Sequence, residues 1–214
     1  MEPGNRSKHR GLSNISRKSD DVAKCYDNWA SDYDETIAEW RYEAPEQVAS
    51  MLMAELSPKS VILDAGCGTG LSGRALRSAG FTTVDGIDIS LRSLKIAGMS
   101  GAYSTLRAMD IQRFPLPIPD DQYDGLVCVG VFTYLTDSAG TLREFSRIVR
   151  SGGIVVFTQR SDLFAKRKFQ SVLKRLSDEG WIEHVRISER RPYLPYNEEY
   201  GDGILVHYVA YTVV

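Results

Sequence analysis

The chain has 214 residues, 43% apolar and 25% charged, with a formal net charge of −2. That is apolar surface enough for the core of one globular domain, and it lacks the basic excess that draws a chain to nucleic acid. Cys25, Cys67 and Cys128 share no C-x-x-C spacing, so neither a disulfide framework nor a metal site is expected, and no apolar run approaches the roughly 20 residues that cross a bilayer. With no signal-peptide core either, a cytoplasmic chain without membrane contact is expected.

Residues 1–20, MEPGNRSKHRGLSNISRKSD, carry Ser, Arg, Lys and Gly with almost no apolar periodicity, the composition of a disordered basic tail. A mitochondrial presequence has a similar balance, but only Leu12 and Ile15 would supply its apolar face. From Val22 to Trp40 aromatics alternate with acids, and Tyr26, Trp29 and Tyr33 fall on one side of a predicted helix. Pro45 opens a second helix, with Val48, Met51, Leu52 and Leu56 on its apolar face.

The stretch VILDAGCGTGLSG then organises the rest. Val61, Ile62 and Leu63 form a buried strand ending in Asp64, and Gly66, Gly68 and Gly70 make a tight turn into a helix carrying Leu71, Ala75, Leu76 and Ala79. Glycines let a ligand lie against the main chain, and the free amides of the helix start favour a small anionic group. A dinucleotide fingerprint needs G-x-G-x-x-G, whereas the third glycine here comes one residue early, which disfavours a nicotinamide-dependent oxidoreductase.

Thr83–Asp88 reads as a second strand, with Ser90 capping the next helix, Leu91–Gly98. Asp88 at the strand tip can take both hydroxyls of a ribose, while Asp85 lies within the strand pattern as a solvated or edge residue. A third strand, Tyr103–Ala108, leads to Asp110, which can accept from an exocyclic amine while Met109 and Ile111 sandwich a flat ring. A glycine turn and two acids, each after a strand, describe a site for a nucleoside with an amino-acid-like tail.

Pro115, Pro117 and Pro119 force an extended loop before strand four, 124–129, and the loop from Gly130 to Tyr134 follows it. Asp137 and Ser138 can cap a helix bearing Leu142, Phe145, Ile148 and Val149, which Gly152-Gly153 should stop before strand five, Ile154–Thr158. A further amphipathic helix carries Phe169, Val172, Leu173 and Leu176, with Lys166, Arg167, Lys168, Lys174 and Arg175 mostly outward as a solvated face. Trp181–Ser188 and Ile204–Val214 have strand composition, with His184 and His207 as ordinary strand residues. The aromatic loop Arg191–Tyr200 between them is a candidate acceptor wall.

The series VILDAGCGTGLSG, GIDIS, AMDIQ, YDGLVCVGVFTYL and LREFSRIVRSGGIVVFT, spanning Val61 to about Thr158, resembles the motifs of class I S-adenosylmethionine-dependent methyltransferases. YDNWASDYDETIAEWRYEAPEQVA and Gly180-Trp181 resemble the Williams-Beuren syndrome methyltransferase-like group. The resemblance implies an α/β, Rossmann-like, doubly wound sheet of seven mostly parallel strands with an antiparallel C-terminal hairpin. It divides the chain into a helical lid (21–58), a cofactor core (59–160) and a C-terminal helix and hairpin (161–214). It implies S-adenosylmethionine as cofactor, with Asp64 and Gly66 at the methionine, Cys67, Gly68 and Gly70 in the turn, and Asp88 at the ribose. Met109, Asp110 and Ile111 would meet the adenine, Ile89 and Val129 complete the cofactor-binding set, and Tyr26 and Tyr33 close over the sulfonium, where cation–π attraction is available. Tyr134 is a weak candidate for orienting the acceptor. The chain lacks both the N/D-P-P-Y/F motif of relatives that methylate amide nitrogens and the Glu-His pair of many small-molecule relatives, so no catalytic histidine carries over. A small-molecule acceptor and a monomer or weak homodimer are expected; a protein acceptor, or cofactor binding without turnover, are the alternatives.

Overall fold

The computed structural model describes residues 16–197 and 203–214. In chain order it has α1 (Ser19–Glu39), α2 (Ala44–Met53), β1 (Val61–Ala65), α3 (Leu71–Ala79), β2 (Thr83–Asp88), α4 (Leu91–Met99), β3 (Thr105–Ala108) and β4 (Tyr123–Cys128). The second half has α5 (Ser138–Ile148), β5 (Val149–Arg160), α6 (Ser161–Lys166), α7 (Phe169–Asp178), β6 (Ile182–Ile187), β7 (Arg191–Pro192) and β8 (Leu205–Val213).

The main sheet runs β3-β2-β1-β4-β5-β8-β6, with the two-residue β7 beside β8 off that path. β1 to β5 are parallel, and β8 lies antiparallel between β5 and β6. Strand order reverses between β1 and β4, the switch point where open α/β sheets leave a crevice at the strands' carboxyl ends. Each face is covered because the parallel strands are apolar on both sides. Val48, Leu52 and Leu76 of α2 and α3 pack on Ile62, Val84 and Val156. On the other face Leu142, Phe145, Phe169, Leu173 and Leu176 of α5 and α7 pack on Leu63, Leu126 and Phe157. Trp29 and Ile37 of α1 form a separate small cluster with Leu194.

Three details depart from the sequence reading. Gly152 and Gly153 do not stop a helix: α5 ends at Ile148, its C-cap Val149 is extended, and the glycines lie inside β5. Val149 is fully buried and pairs with Tyr123, so the sheet claims the chain earlier than the glycines suggest. The single amphipathic helix is two, α6 and α7, broken where Lys168 adopts a left-handed φ of 49°. Helix α1 begins at Ser19, inside the expected tail, whose residues 1–15 lie outside the described residues.

Candidate functional site

At the carboxyl ends of β1, β2 and β4 the sheet opens into a cleft of about 910 Å³, counting its open mouth and the space between atoms. The glycine turn forms its floor. Gly68 has φ +52° and nothing within 4 Å of where a side chain would project, so the backbone lies open to the cleft there. Of the sequence-predicted residues, Tyr26, Tyr33, Gly66, Cys67, Gly68, Asp88, Ile89, Met109, Asp110, Ile111, Val129 and Tyr134 all line this one space.

Asp88 ends β2 with its carboxylate tied at both oxygens to backbone amides: Gly68 N donates to Oδ2 at 2.8 Å and Ser90 N to Oδ1 at 2.8 Å. Burial raises its pKa, and the amide hydrogen bonds partly oppose that. Asp88 lines the cleft with this carboxylate, an acceptor of the kind a diol requires. Asp110 accepts from Gln112 N at 3.0 Å through Oδ1, while its Oδ2 is buried without a hydrogen bond. The Arg113 guanidinium, 77% exposed, stands 3.2 Å from Oδ2 but makes no hydrogen bond to it. Oδ2 thus has a charged neighbour but no hydrogen-bond donor among the described residues.

Asp64 and Gly70 do not line the cleft. Asp64 is fully buried behind the turn, where Tyr103 Oη donates to its Oδ2 at 2.7 Å and Oδ1 has no partner. Desolvation pushes its pKa up to about 7. Gly70 is the left-handed N-cap of α3 at φ +97°, packed against Tyr103 and Ala97; its role is the turn itself. The Cys67 thiol lines the cleft but burial pushes its pKa upward, so it is no nucleophile at neutral pH.

Helix α1 lies over the cleft and is clasped by two aspartates. Ser90 Oγ donates to Asp27 Oδ1 at 2.6 Å, while Asp34 takes Arg74 Nη2 at 2.6 Å on one oxygen and Thr69 Oγ1 on the other. Tyr26 Oη and Tyr134 Oη are 3.1 Å apart with the rings edge to face, so helix α1 meets the loop after β4 directly. Beyond that contact lies a smaller chamber of about 380 Å³, lined by Trp29, Ile37, Thr133, Arg160, Tyr193 and Leu194 together with Tyr26, Tyr33, Tyr42 and Tyr134, which also line the cleft. Leu194 and Tyr193 come from the predicted 190s loop, of which residues 198–200 lie outside the described residues.

A methyltransferase-domain family model matches residues 63–157, from the first strand to the fifth. Human methyltransferase-like protein 27 is 34% identical over 164 residues, covering 74% of this chain and 66% of the relative. The malonyl-[acyl-carrier protein] O-methyltransferase of Pseudescherichia vulneris is 32% identical over 139 residues, 64% of this chain and 52% of that protein. The chain thus spans between half and two thirds of these relatives' length. The fold matches that of geranyl diphosphate C-methyltransferase from Streptomyces coelicolor A3(2), crystallised with S-adenosyl-L-homocysteine, at a TM-score of 0.69 and 16% identity over 92% of this chain and 98% of the other. The chain belongs to the class I S-adenosylmethionine-dependent methyltransferases.

In this methyltransferase several residues that shape the site were not singled out from sequence. Gln112 lines the cleft and ties three segments together: its Oε1 accepts from Thr136 N at 2.9 Å, and its Nε2 reaches Ser19 Oγ at 3.4 Å. It sits in the AMDIQ motif, so its position was the available signal. Arg167 is not part of a solvated face. Its guanidinium donates to the carbonyls of Phe132 at 2.7 Å, Thr133 at 2.7 Å and Leu135 at 3.2 Å, fixing the loop that carries Tyr134. Among the described residues no helix is long and apolar enough to cross a membrane, and no cluster of His, Cys, Asp or Glu is placed to hold a metal.

Proposed function

We propose that this chain binds S-adenosylmethionine in the cleft and transfers its methyl group to a small acceptor. The observation that carries the reading is the pair of half-buried carboxylates after β2 and β3 that line one cleft beside the glycine turn. Asp88 takes the ribose diol, Asp110 the adenine amine between Met109 and Ile111, and the open backbone at Gly68 the methionine portion. Residues 21–58 serve as the lid, with Tyr26 and Tyr33 over the sulfonium.

The bound cofactor supplies an electrophilic methyl on a positively charged sulfur. The chain's own work is to hold the acceptor in line with it and to keep water out, positioning worth roughly 7–11 kcal/mol of barrier. The lid's two aspartate clasps and the Tyr26–Tyr134 contact do this by closing the cleft from above. A small acceptor is supported by the O-methyltransferases among the relatives.

Calorimetric titration with S-adenosylmethionine, S-adenosylhomocysteine and NAD, on the wild type and Asp88→Ala, tests the reading. Micromolar binding of the first two, weakened by about 1.5–3 kcal/mol in the variant, is expected from loss of charged hydrogen bonds. Binding of NAD alone, or an unchanged affinity in Asp88→Ala, overturns it. Binding with no methyl transfer to any acceptor would leave a cofactor-binding protein without turnover.

A further inference from the structure

We propose that Gln112 is a positioning residue of the transfer step: its side-chain amide carries occupation of the adenine position to the two segments that meet at the cleft, the first turn of α1 and the loop after β4. The inference rests on the methyltransferase reading above and adds to it how the closed site is assembled. Gln112 stands two positions after Asp110, and its backbone N–H donates to Asp110 Oδ1 at 3.0 Å. Met109 N donates to the carbonyl of Asp88 at 2.9 Å, and Ile111 between them is buried in the main core. The stretch that would meet the adenine is thus held along its length, and the Gln112 side chain leaves from a fixed root.

The amide is used at both ends. Its Oε1 accepts from Thr136 N at 2.9 Å and from Thr136 Oγ1 at 3.0 Å. A backbone N–H can only donate, so it dictates which end of the amide faces the loop and turns Nε2 the other way. There Nε2 donates to Ser19 Oγ at 3.4 Å. A carboxylate in this place would keep the contact to Thr136 and lack the second donor.

These two contacts complete a circuit. Ser19 opens α1, whose N-cap Lys18 makes no side-chain capping bond; an uncapped first turn frays unless a group outside the helix holds it. Ser19, Val22 and Tyr26 fall on one face of α1 and line the cleft. Tyr26 meets Tyr134 through their hydroxyls at 3.1 Å, and Tyr134 stands two residues before Thr136. The path therefore runs from Gln112 to Ser19, along α1 to Tyr26, across to Tyr134, on to Thr136 and back to Gln112. All of these residues except Thr136 line the cleft, and none belongs to either main core cluster. Gln112 is half-buried and Thr136 exposed, so the circuit bears on closure of the site more than on the fold. An adenine seated between Met109 and Ile111 pins the root of Gln112, and the amide then fixes the helix start and the loop of Tyr134 at one separation across the site.

The test is hydrogen exchange of the full chain, read by mass spectrometry, with adenosine and with S-adenosylhomocysteine; adenosine carries the adenine and ribose but no methionine portion. Calorimetry gives the affinities and urea melts the stability. In the wild type adenosine alone should slow exchange in residues 19–30 and 131–137. Gln112→Met, unbranched and without the amide, should bind both ligands within about tenfold of wild type, the factor for one or two neutral hydrogen bonds. It should keep its urea midpoint yet lose adenosine protection in both segments. Ser19→Ala cuts one arm, so protection should go from 19–30 and stay in 131–137. Gln112→Glu keeps the acceptor for Thr136 and should keep the protection of 131–137. Full protection in Gln112→Met, loss in both segments in Ser19→Ala, or loss in 131–137 in Gln112→Glu would overturn the proposal while the methyltransferase reading stands. So would a large fall in the urea midpoint of Gln112→Met, or a wild type that S-adenosylhomocysteine protects and adenosine does not. Failure of the wild type to bind S-adenosylhomocysteine would instead overturn the underlying reading.

Discussion

Two glycines of one turn, Gly68 and Gly70, do different work. Both have positive φ, +52° and +97°, so alanine at either costs about 1–2 kcal/mol of backbone strain. At Gly68 the added methyl meets nothing in the protein and enters the cleft, whereas at Gly70 it would press on Tyr103 and Ala97 at 3.2 and 3.3 Å. Crowding of that kind adds about 1–3 kcal/mol. Gly68→Ala is therefore expected to unfold at only slightly lower urea concentration than wild type yet lose S-adenosylhomocysteine affinity more than tenfold. Gly70→Ala should lose about 2–5 kcal/mol of stability while the folded fraction keeps most of its affinity. Urea melts paired with calorimetry separate the two; the reverse pattern would mean that the turn does not present Gly68 to the ligand.

At the scale of elements, helix α1 is latched to the glycine turn and the start of α4 by Asp27 and Asp34, beside its contacts through Ser19 and Tyr26. The Asp34–Arg74 pair is 39% exposed on each side, worth about 0.2–1 kcal/mol, and the Thr69 hydrogen bond adds to it. Asp34→Ala should therefore leave the fold intact, speed S-adenosylhomocysteine dissociation severalfold in stopped-flow, and raise amide exchange in α1 but not in α2. Uniform exchange in both helices would show that α1 is not a separately latched element. Arg167 acts on the opposite wall: Arg167→Ala leaves the carbonyls of Phe132, Thr133 and Leu135 without their donor. It should cost about 1–3 kcal/mol in a denaturant melt and lower acceptor turnover more than cofactor affinity. These contacts also mark the limit of what the sequence discloses. Strands β1, β2 and β3 and the acids Asp64, Asp88 and Asp110 at or just past their ends were legible because apolar runs, a glycine turn and a capping serine are local signals. Asp34 finds Thr69 and Arg74 across 35 and 40 residues, and Arg167 finds Phe132 across 35. No periodicity encodes pairings of that range, so Arg167 reads in sequence as one more basic residue on a solvated helix. The break at Lys168 was hidden as well, since a lysine in the basic run Lys166-Arg167-Lys168 carries no glycine or proline to signal a left-handed turn.

For the whole molecule, the acids under the glycine turn set a stability cost that grows with pH. Asp64 is held at about 7 in the folded protein, against 3.8 as its ordinary value. Between these values the folded state keeps a proton that the unfolded chain has lost, so stability falls as pH rises from about 4 to about 7 and is flat above. Asp88 is shifted in the same direction. Asp124 and Asp162, paired with Arg150 and Arg160, are shifted down; their contribution is complete above pH 4 and lost only in acid, so it does not mask the trend. At about 1.4 kcal/mol per pH unit, Asp64 alone can account for a loss of order 4 kcal/mol. Asp64→Asn keeps an oxygen for the Tyr103 hydroxyl and removes the charge. Urea unfolding of the ligand-free protein at pH 5 and pH 8 should show wild type losing stability, with the variant losing markedly less and at least matching wild type at pH 8. Parallel losses in both proteins would mean that Asp64 ionises without penalty, and that solvent reaches beneath the glycine turn in solution.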